Sequence, residues 1–560
     1  MNDRSTNPPG LESLRAQLLR REQIPFENYP FPRGHALLEL TRAIDLFLLT
    51  APRAEANVRE ALILRYSHGW PKTLGLFLDE SCKGRGIPLT ASSETSIQWA
   101  SSVIQHFGGI ALCESILEQH RTGLVAFRGA DGGRYRFAYV EGAIGLEAIE
   151  AADWKWIQKF TFDAQEDDRT PLEAAKNEIR AQMTALVAPW LEHYIQYDTN
   201  PEIDLHYHHE GLLRAELMTG HDAFDGESLF GGHPFALYRG ILGTLIGFVL
   251  KHLGFCQILM SKHPSLRAPN LITITADTPR LIESLSLALG EDSDRVGQAL
   301  ATFVLSNDNR EAHVLPDAAP PPLIRIGDER VIRSVAGHLA NPFHFMLREL
   351  RRQYPSDWDR AVDRREERFR FELYALFSAW PQIVVRWKPL DIRRGGNVLT
   401  DIDALLYDRS RRVLGLVQLK WQDPFASMRE RASKKENFLN TGNKWTAIVS
   451  DWAKQRGPNG VARDAGIPAA EAEKVERIVL FVFGRYFAHF SATTEPHAGA
   501  AWGNWAQVIR LVHGSEAMPD DPIGWLNEAL RGDSPFRRAK RPDVVQELDL
   551  GDGVSVTIEP

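Results

Sequence analysis

Cysteine is scarce in this 560-residue chain: Cys82, Cys113 and Cys256 stand far apart and form no CxxC pair. That spacing excludes a disulfide framework and a cysteine-based zinc site, and it fits a reducing compartment. Long apolar runs are also missing. The longest uncharged one, residues 240–250, lies between Arg239 and Lys251 and falls well short of the roughly 20 residues that a bilayer-crossing helix needs. The opening MNDRSTNPPG is polar and has no apolar signal region, so the expected setting is cytoplasmic and soluble, without membrane contact. Residues 1–317 hold no Walker loop, nucleophile elbow, dinucleotide fingerprint or repeat, which leaves that half without a recognisable catalytic signature.

Positive charge is deficient overall but not everywhere. Residues 324–500 carry 30 Lys and Arg against 22 Asp and Glu, and the remainder carries 35 against 51. A basic module on an acidic protein is what phosphate-backbone binding requires, although solvated basic faces have the same composition. The length allows several domains. The clearest breaker cluster, AAPPP at 318–322, sets the main boundary. The expected division is a mostly helical domain with a β hairpin over 1–150, a helical domain over 151–317, a connector over 318–354, an α/β domain over 355–490, and an extension over 491–560 packed on it.

In the first half, apolar residues recurring at three and four predict helices over 34–49, 54–66, 93–121, 171–197, 234–260 and 279–305. A hairpin is predicted over 123–140, turning at Asp131-Gly132-Gly133, with Tyr135, Phe137 and Tyr139 on one face and Arg134 and Arg136 on the other. That aromatic face is either core or a base-stacking platform. The run IDLHYHH at 203–209 reads as a short polar strand or loop; as a strand it would put His206 and His208 on one face, as metal ligands or as an exposed histidine cluster.

The most informative stretch is TDIDALLYDRSRRVLGLVQLKW, from Thr400 to Trp421. Two β-rich segments, 398–407 and 412–421, flank the turn-forming run Asp408-Arg409-Ser410-Arg411. Alternation puts Asp401 and Asp403 on one strand face, and Gln418 and Lys420 on one face of the next. Upstream, Phe369, Glu372, Leu373, Leu376, Phe377 and Trp380 form one helical stripe. A carboxylate inside such a stripe needs a cation, an arginine partner or a route to solvent.

The trio Asp403, Gln418 and Lys420 resembles the motif of the PD-(D/E)xK nuclease superfamily, in the Mrr-type form whose second motif strand reads Gln-x-Lys. The predicted order over 355–490, helix, three strands, helix, strand, matches the α-β-β-β-α-β order of that restriction-endonuclease-like core. The resemblance implies Asp403, Gln418, Lys420 and Glu372 as catalytic residues. It implies Mg²⁺ or Mn²⁺ held by Asp403, the Gln418 amide and the Leu419 carbonyl, a donor set suited to a hard cation. Arg429, Arg431, Lys434 and Lys435, on the following helix, are expected to contact phosphates or to form a solvated face. The function implied is metal-dependent DNA cleavage in restriction or phage defence, with the N-terminal half sensing or regulating. DNA is the expected partner, and double-strand cutting favours a homodimer or a defence-system partner protein. The alternative is a degenerate nuclease fold that binds nucleic acid without cutting, because Gln418 stands where a second carboxylate is usual.

Overall fold

A computed structural model of the chain describes residues 9–22, 33–50, 56–78, 90–140, 142, 144–315, 318–394, 397–424, 428–491, 493, 495–515, 520–539 and 545–560. Cys82 lies outside these; Cys113 and Cys256 are buried free thiols. The protein is a multi-domain, mixed α/β structure rich in helix.

The N-terminal unit is built on helices Arg33–Thr50, Ala56–Phe77 and Glu94–Arg121. Ser93 caps the last of these, its side chain accepting the Ser96 N–H. The hairpin Val125–Asp131/Arg134–Tyr139 follows. Tyr135, Phe137 and Tyr139 are buried among Leu11, Leu14, Phe107 and Ile110, so this aromatic face is core. The Ser555–Glu559 strand adds in parallel to Arg134–Tyr139, and Gln546–Asp549 extends the sheet beyond it. The expected C-terminal extension therefore divides: 500–539 stay with the C-terminal sheet, while 546–559 complete the N-terminal one.

The middle of the chain surrounds the helix Phe235–Lys262, which is long and apolar enough to cross a membrane but is mostly buried inside the protein. The helix expected over 171–197 ends at Leu186 and gives way to a hairpin, Val187–Trp190 with Tyr194–Tyr197. The stretch read as a strand or loop at 203–209 is helical, within Pro201–Glu216. Asn200 caps it by accepting the Ile203 N–H, and Pro201 begins it, a start signal that outweighs a short polar alternation. The expected 318–354 connector is not a separator. Strand Leu323–Arg325 pairs in parallel with Val304–Leu305, and Arg330–Arg333 pairs with Ile274–Asp277, so both sides of the proline run share one sheet.

The C-terminal sheet has five strands: β1 (Ile383–Arg386), β2 (Ala404–Asp408), β3 (Val413–Lys420), β4 (Arg477–Gly484) and β5 (Ala500–Asn504), in that spatial order. The first three form an antiparallel meander, and β3, β4 and β5 run parallel. Helix α1 (Arg365–Leu376) precedes the sheet, and helix α2 (Met428–Asp464) connects β3 to β4. Both faces are covered. Ala404, Leu406, Val417 and Leu419 pack toward Phe369, Leu373 and Trp505, and Leu405, Tyr407, Leu414 and Leu416 pack toward Phe438, Trp445 and Val449. Double burial explains the nearly unbroken apolar run of β3. The Thr441-Gly442-Asn443 run does not break α2. Gly442 there lies against Trp502, where a Cβ would stand 2.4 Å from the ring, and the kink falls at Gly457, with φ of 68° just before Pro458.

Candidate functional site

The β2–β3 hairpin is fixed locally: Asp408 Oδ1 accepts from the Ser410 and Arg411 backbone N–H groups at 2.8 and 2.9 Å, an Asx-type turn. The strand expected to run through 398–407 is broken at Asp403. Residues Asn397–Ile402 instead pair with Leu390–Arg394 as a separate hairpin, which leaves Asp401 exposed and Asp403 almost wholly buried. At this break Asp403 Oδ2 accepts the Leu419 N–H at 2.7 Å and a Gln418 Nε2–H. The Asp403 carbonyl is held by the Arg370 guanidinium, and the Asp403 N–H donates to the Val417 carbonyl at 3.1 Å. Backbone and side chain together fix this carboxylate against β3.

The structure thus brings Asp403, Gln418 and Leu419 into contact, with Lys420 beside them near Asp403 and Glu366. Burial, and next the charge of Glu366, push the Asp403 carboxyl up to about 7; the Leu419 hydrogen bond and Lys420 oppose the rise. Desolvation also raises Glu366, although its side chain keeps an exposed surface, with Lys420 opposing and Asp401 adding to it. Glu366, in the first turn of α1, is thus a helix carboxylate within electrostatic reach of Asp403 and Lys420. Its sequence signal was the stripe Glu366, Phe369, Arg370, Leu373, which shares a helix face.

Glu372 is held by arginines. It accepts from Arg368 Nε at 3.0 Å and pairs with Arg485, whose guanidinium also pairs with Asp222 and lies 4.7 Å over the Trp421 ring. These arginines account for its position in the apolar stripe.

Two of the four basic residues expected on DNA have internal partners. Lys434 Nζ pairs with Asp423 at 2.9 Å, and Lys435 Nζ donates to the Ser491 carbonyl at 3.0 Å, with burial lowering its pKa. Arg431 is exposed. The Arg429 side chain lies outside the described residues. His206 and His208 are separated by the helix. His206 lines one cavity with Glu173, Lys176 and Glu210, and His208 lines another with Lys251.

No cluster of three or more His, Cys, Asp or Glu is assembled for an ion among the described residues. The donor set at Asp403 still fits a hard divalent cation. Asp403 is a buried carboxylate with no ion-pair partner among the described residues. The Gln418 amide turns its oxygen to the same spot by a half-turn of its last torsion. The Leu419 carbonyl shares a strand edge with the N–H that already faces Asp403. Water would complete such a shell, as is usual for Mg²⁺. Comparison of the chain with protein-family models, curated proteins and solved structures gives no match.

Proposed function

We propose that the protein is a Mg²⁺- or Mn²⁺-dependent endodeoxyribonuclease with a restriction-endonuclease-like core, serving restriction or phage defence, its N-terminal half sensing or regulating. The reading is supported by the succession of α1, the β1–β2–β3 meander, α2 and the parallel strand β4. One observation carries it: Asp403, at a strand break, meets Gln418 and Leu419 across the sheet, with Lys420 one residue on.

In this reading Asp403, the Gln418 amide and the Leu419 carbonyl would hold the cation, which would supply Lewis-acid charge for the phosphate and for activation of water. Lys420 orients a water and offsets phosphate charge. Glu366, within electrostatic reach of Lys420, would take a proton from that water. The second reading, binding without cleavage, draws on Gln418 donating to Asp403 instead of adding a second carboxylate.

Incubating the full chain with plasmid and linear DNA decides between them. Cleavage that needs Mg²⁺ or Mn²⁺, stops with EDTA, and is lost in Asp403→Ala and Lys420→Ala without a change in circular dichroism supports the enzyme. Cutting by both variants at the wild-type rate would remove the assignment. DNA binding with no turnover in any metal would establish the second reading.

A further inference from the structure

A cavity of about 680 Å³ lies among the helices Pro201–Glu216, Phe235–Lys262 and Thr278–Leu289 and the strand Ile274–Asp277, and it shares no lining residue with the Asp403 site. Its volume falls within the roughly 300–1,000 Å³ of small-molecule sites. Leu205, Phe248, Leu281 and Leu287 give it an apolar wall. Leu205 and Leu287 are 56% and 86% exposed, so the apolar surface is open to an entering molecule.

The polar lining is unbalanced. Asp204 is neutralised by Lys251, which also lies 5.4 Å over the Phe248 ring, and Asp277 pairs with Arg330 at 3.3 Å. His208 is turned to Thr244 at 3.3 Å, and burial lowers its pKa, so it is neutral near pH 7. Arg280 and Arg333 also line the cavity, and neither forms an ion pair with a described residue. Arg333 is the telling group. Arg333 is half-buried: its Nε and Nη2 are sealed from solvent without a hydrogen-bond acceptor, which leaves Nη1 as the nitrogen open to the cavity, and its guanidinium carbon lies 5.8 Å from the Phe248 ring. A half-buried guanidinium with no carboxylate partner favours an anion placed against its open nitrogen.

We propose that this cavity binds a small organic anion, a carboxylate or phosphate monoester on an apolar body, with the anionic head on Arg333 and the body against Phe248 and Leu281. Lys251, whose ammonium has donors beyond the one given to Asp204, and Arg280 supply further positive charge. The site is independent of the nuclease reading, since none of its residues belongs to the C-terminal sheet.

Isothermal titration of the full chain with 1-naphthoate, 1-naphthyl phosphate and uncharged 1-naphthol tests the proposal without any cleavage assay. Both anions should bind at millimolar concentration or below and naphthol about tenfold more weakly or worse, the tighter anion identifying the head group. Arg333→Met should weaken anion binding by about tenfold or more while the ligand-free protein melts at the same temperature or higher. Equal binding of naphthol and the anions, no binding of either anion at millimolar concentration, or unchanged affinity in Arg333→Met would overturn the site. If Arg333→Met does not fold, the charged and neutral ligands compared on the wild type still decide.

Discussion

Arg485 pairs with Asp222 across 263 residues of sequence, and its other amino group takes Glu372. The arginine side chain is only 4% exposed, so it ties the middle of the chain to the end of β4 from inside the protein. Removing one partner of such a buried pair leaves charge uncompensated, at a typical cost of about 3–5 kcal/mol. Arg485→Met should lose stability of that order in urea unfolding. A loss below about 0.5 kcal/mol, the usual range of surface substitutions, would show that the network contributes little.

The same pair sets an acid limit. Burial alone would raise the Asp222 carboxyl, but Arg485 and Arg368 outweigh it and hold the group down to about 2. The folded value lies below the unfolded one of about 3.9. Its stabilisation is therefore full above about pH 4 and is lost as pH falls toward 2. Circular dichroism between pH 5 and 2 should show stability falling in that window, and Asp222→Asn should flatten the fall. An unaltered acid profile in Asp222→Asn would exclude this group as its source.

Glu366 and Glu372 should separate cleanly. Glu366→Gln is expected to cut DNA about 10²-fold more slowly or worse, the usual scale of a general acid–base group, with melting nearly unchanged. Glu372→Gln should lower the melting temperature, since Arg368 and Arg485 lose a charged partner, and should retain cleavage below the transition. The reverse pattern would return the site carboxylate to Glu372.

Gln418→Glu places a second carboxylate against Asp403 where an amide now donates. Without divalent ions this variant should melt lower, by an amount corresponding to about 1–3 kcal/mol for a lost buried donor. Mg²⁺ should restore its stability, and cleavage should need less metal than the wild type. Gln418→Ala should need more metal or stop cutting. Melting curves with and without Mg²⁺, beside a metal titration of cleavage, read both effects. A Gln418→Ala variant with an unchanged metal requirement would show that Gln418 is not a ligand.

On the helix after β3, Arg431→Gln should lower DNA affinity at all sequences and reduce the salt slope by about one. Lys434→Gln should leave that slope unchanged and lower stability instead, because its ammonium already serves Asp423. Binding isotherms at several salt concentrations distinguish the two. A steeper loss of slope for Lys434 would mean that the Asp423 pair opens on DNA.

Much of this architecture was legible because it is local. The β2–β3 hairpin follows from β-rich runs around a turn that Asp408 closes with its own side chain. The Glu94–Arg121 helix follows from apolar periodicity behind a Ser93 cap. Asp403 facing Gln418 follows once the two strands pair in register, with Ala404 opposite Val417. The helix at 203–209 was legible too, but in its Asn200-Pro201 start and not in the alternation of its histidines.

What tertiary structure decided lies between distant segments. Period-two alternation cannot show that one strand ends at Ile402 and the next begins at Ala404, because the break is made by pairing with Leu390–Arg394. A helical stripe cannot tell which glutamate meets a cation and which an arginine, and the guanidinium that claims Glu372 comes from Arg485 on another element. Nor can a terminal strand announce its partner: residues 555–559 complete a sheet with 134–138, since an open strand edge accepts any chain that the packing of the whole brings to it.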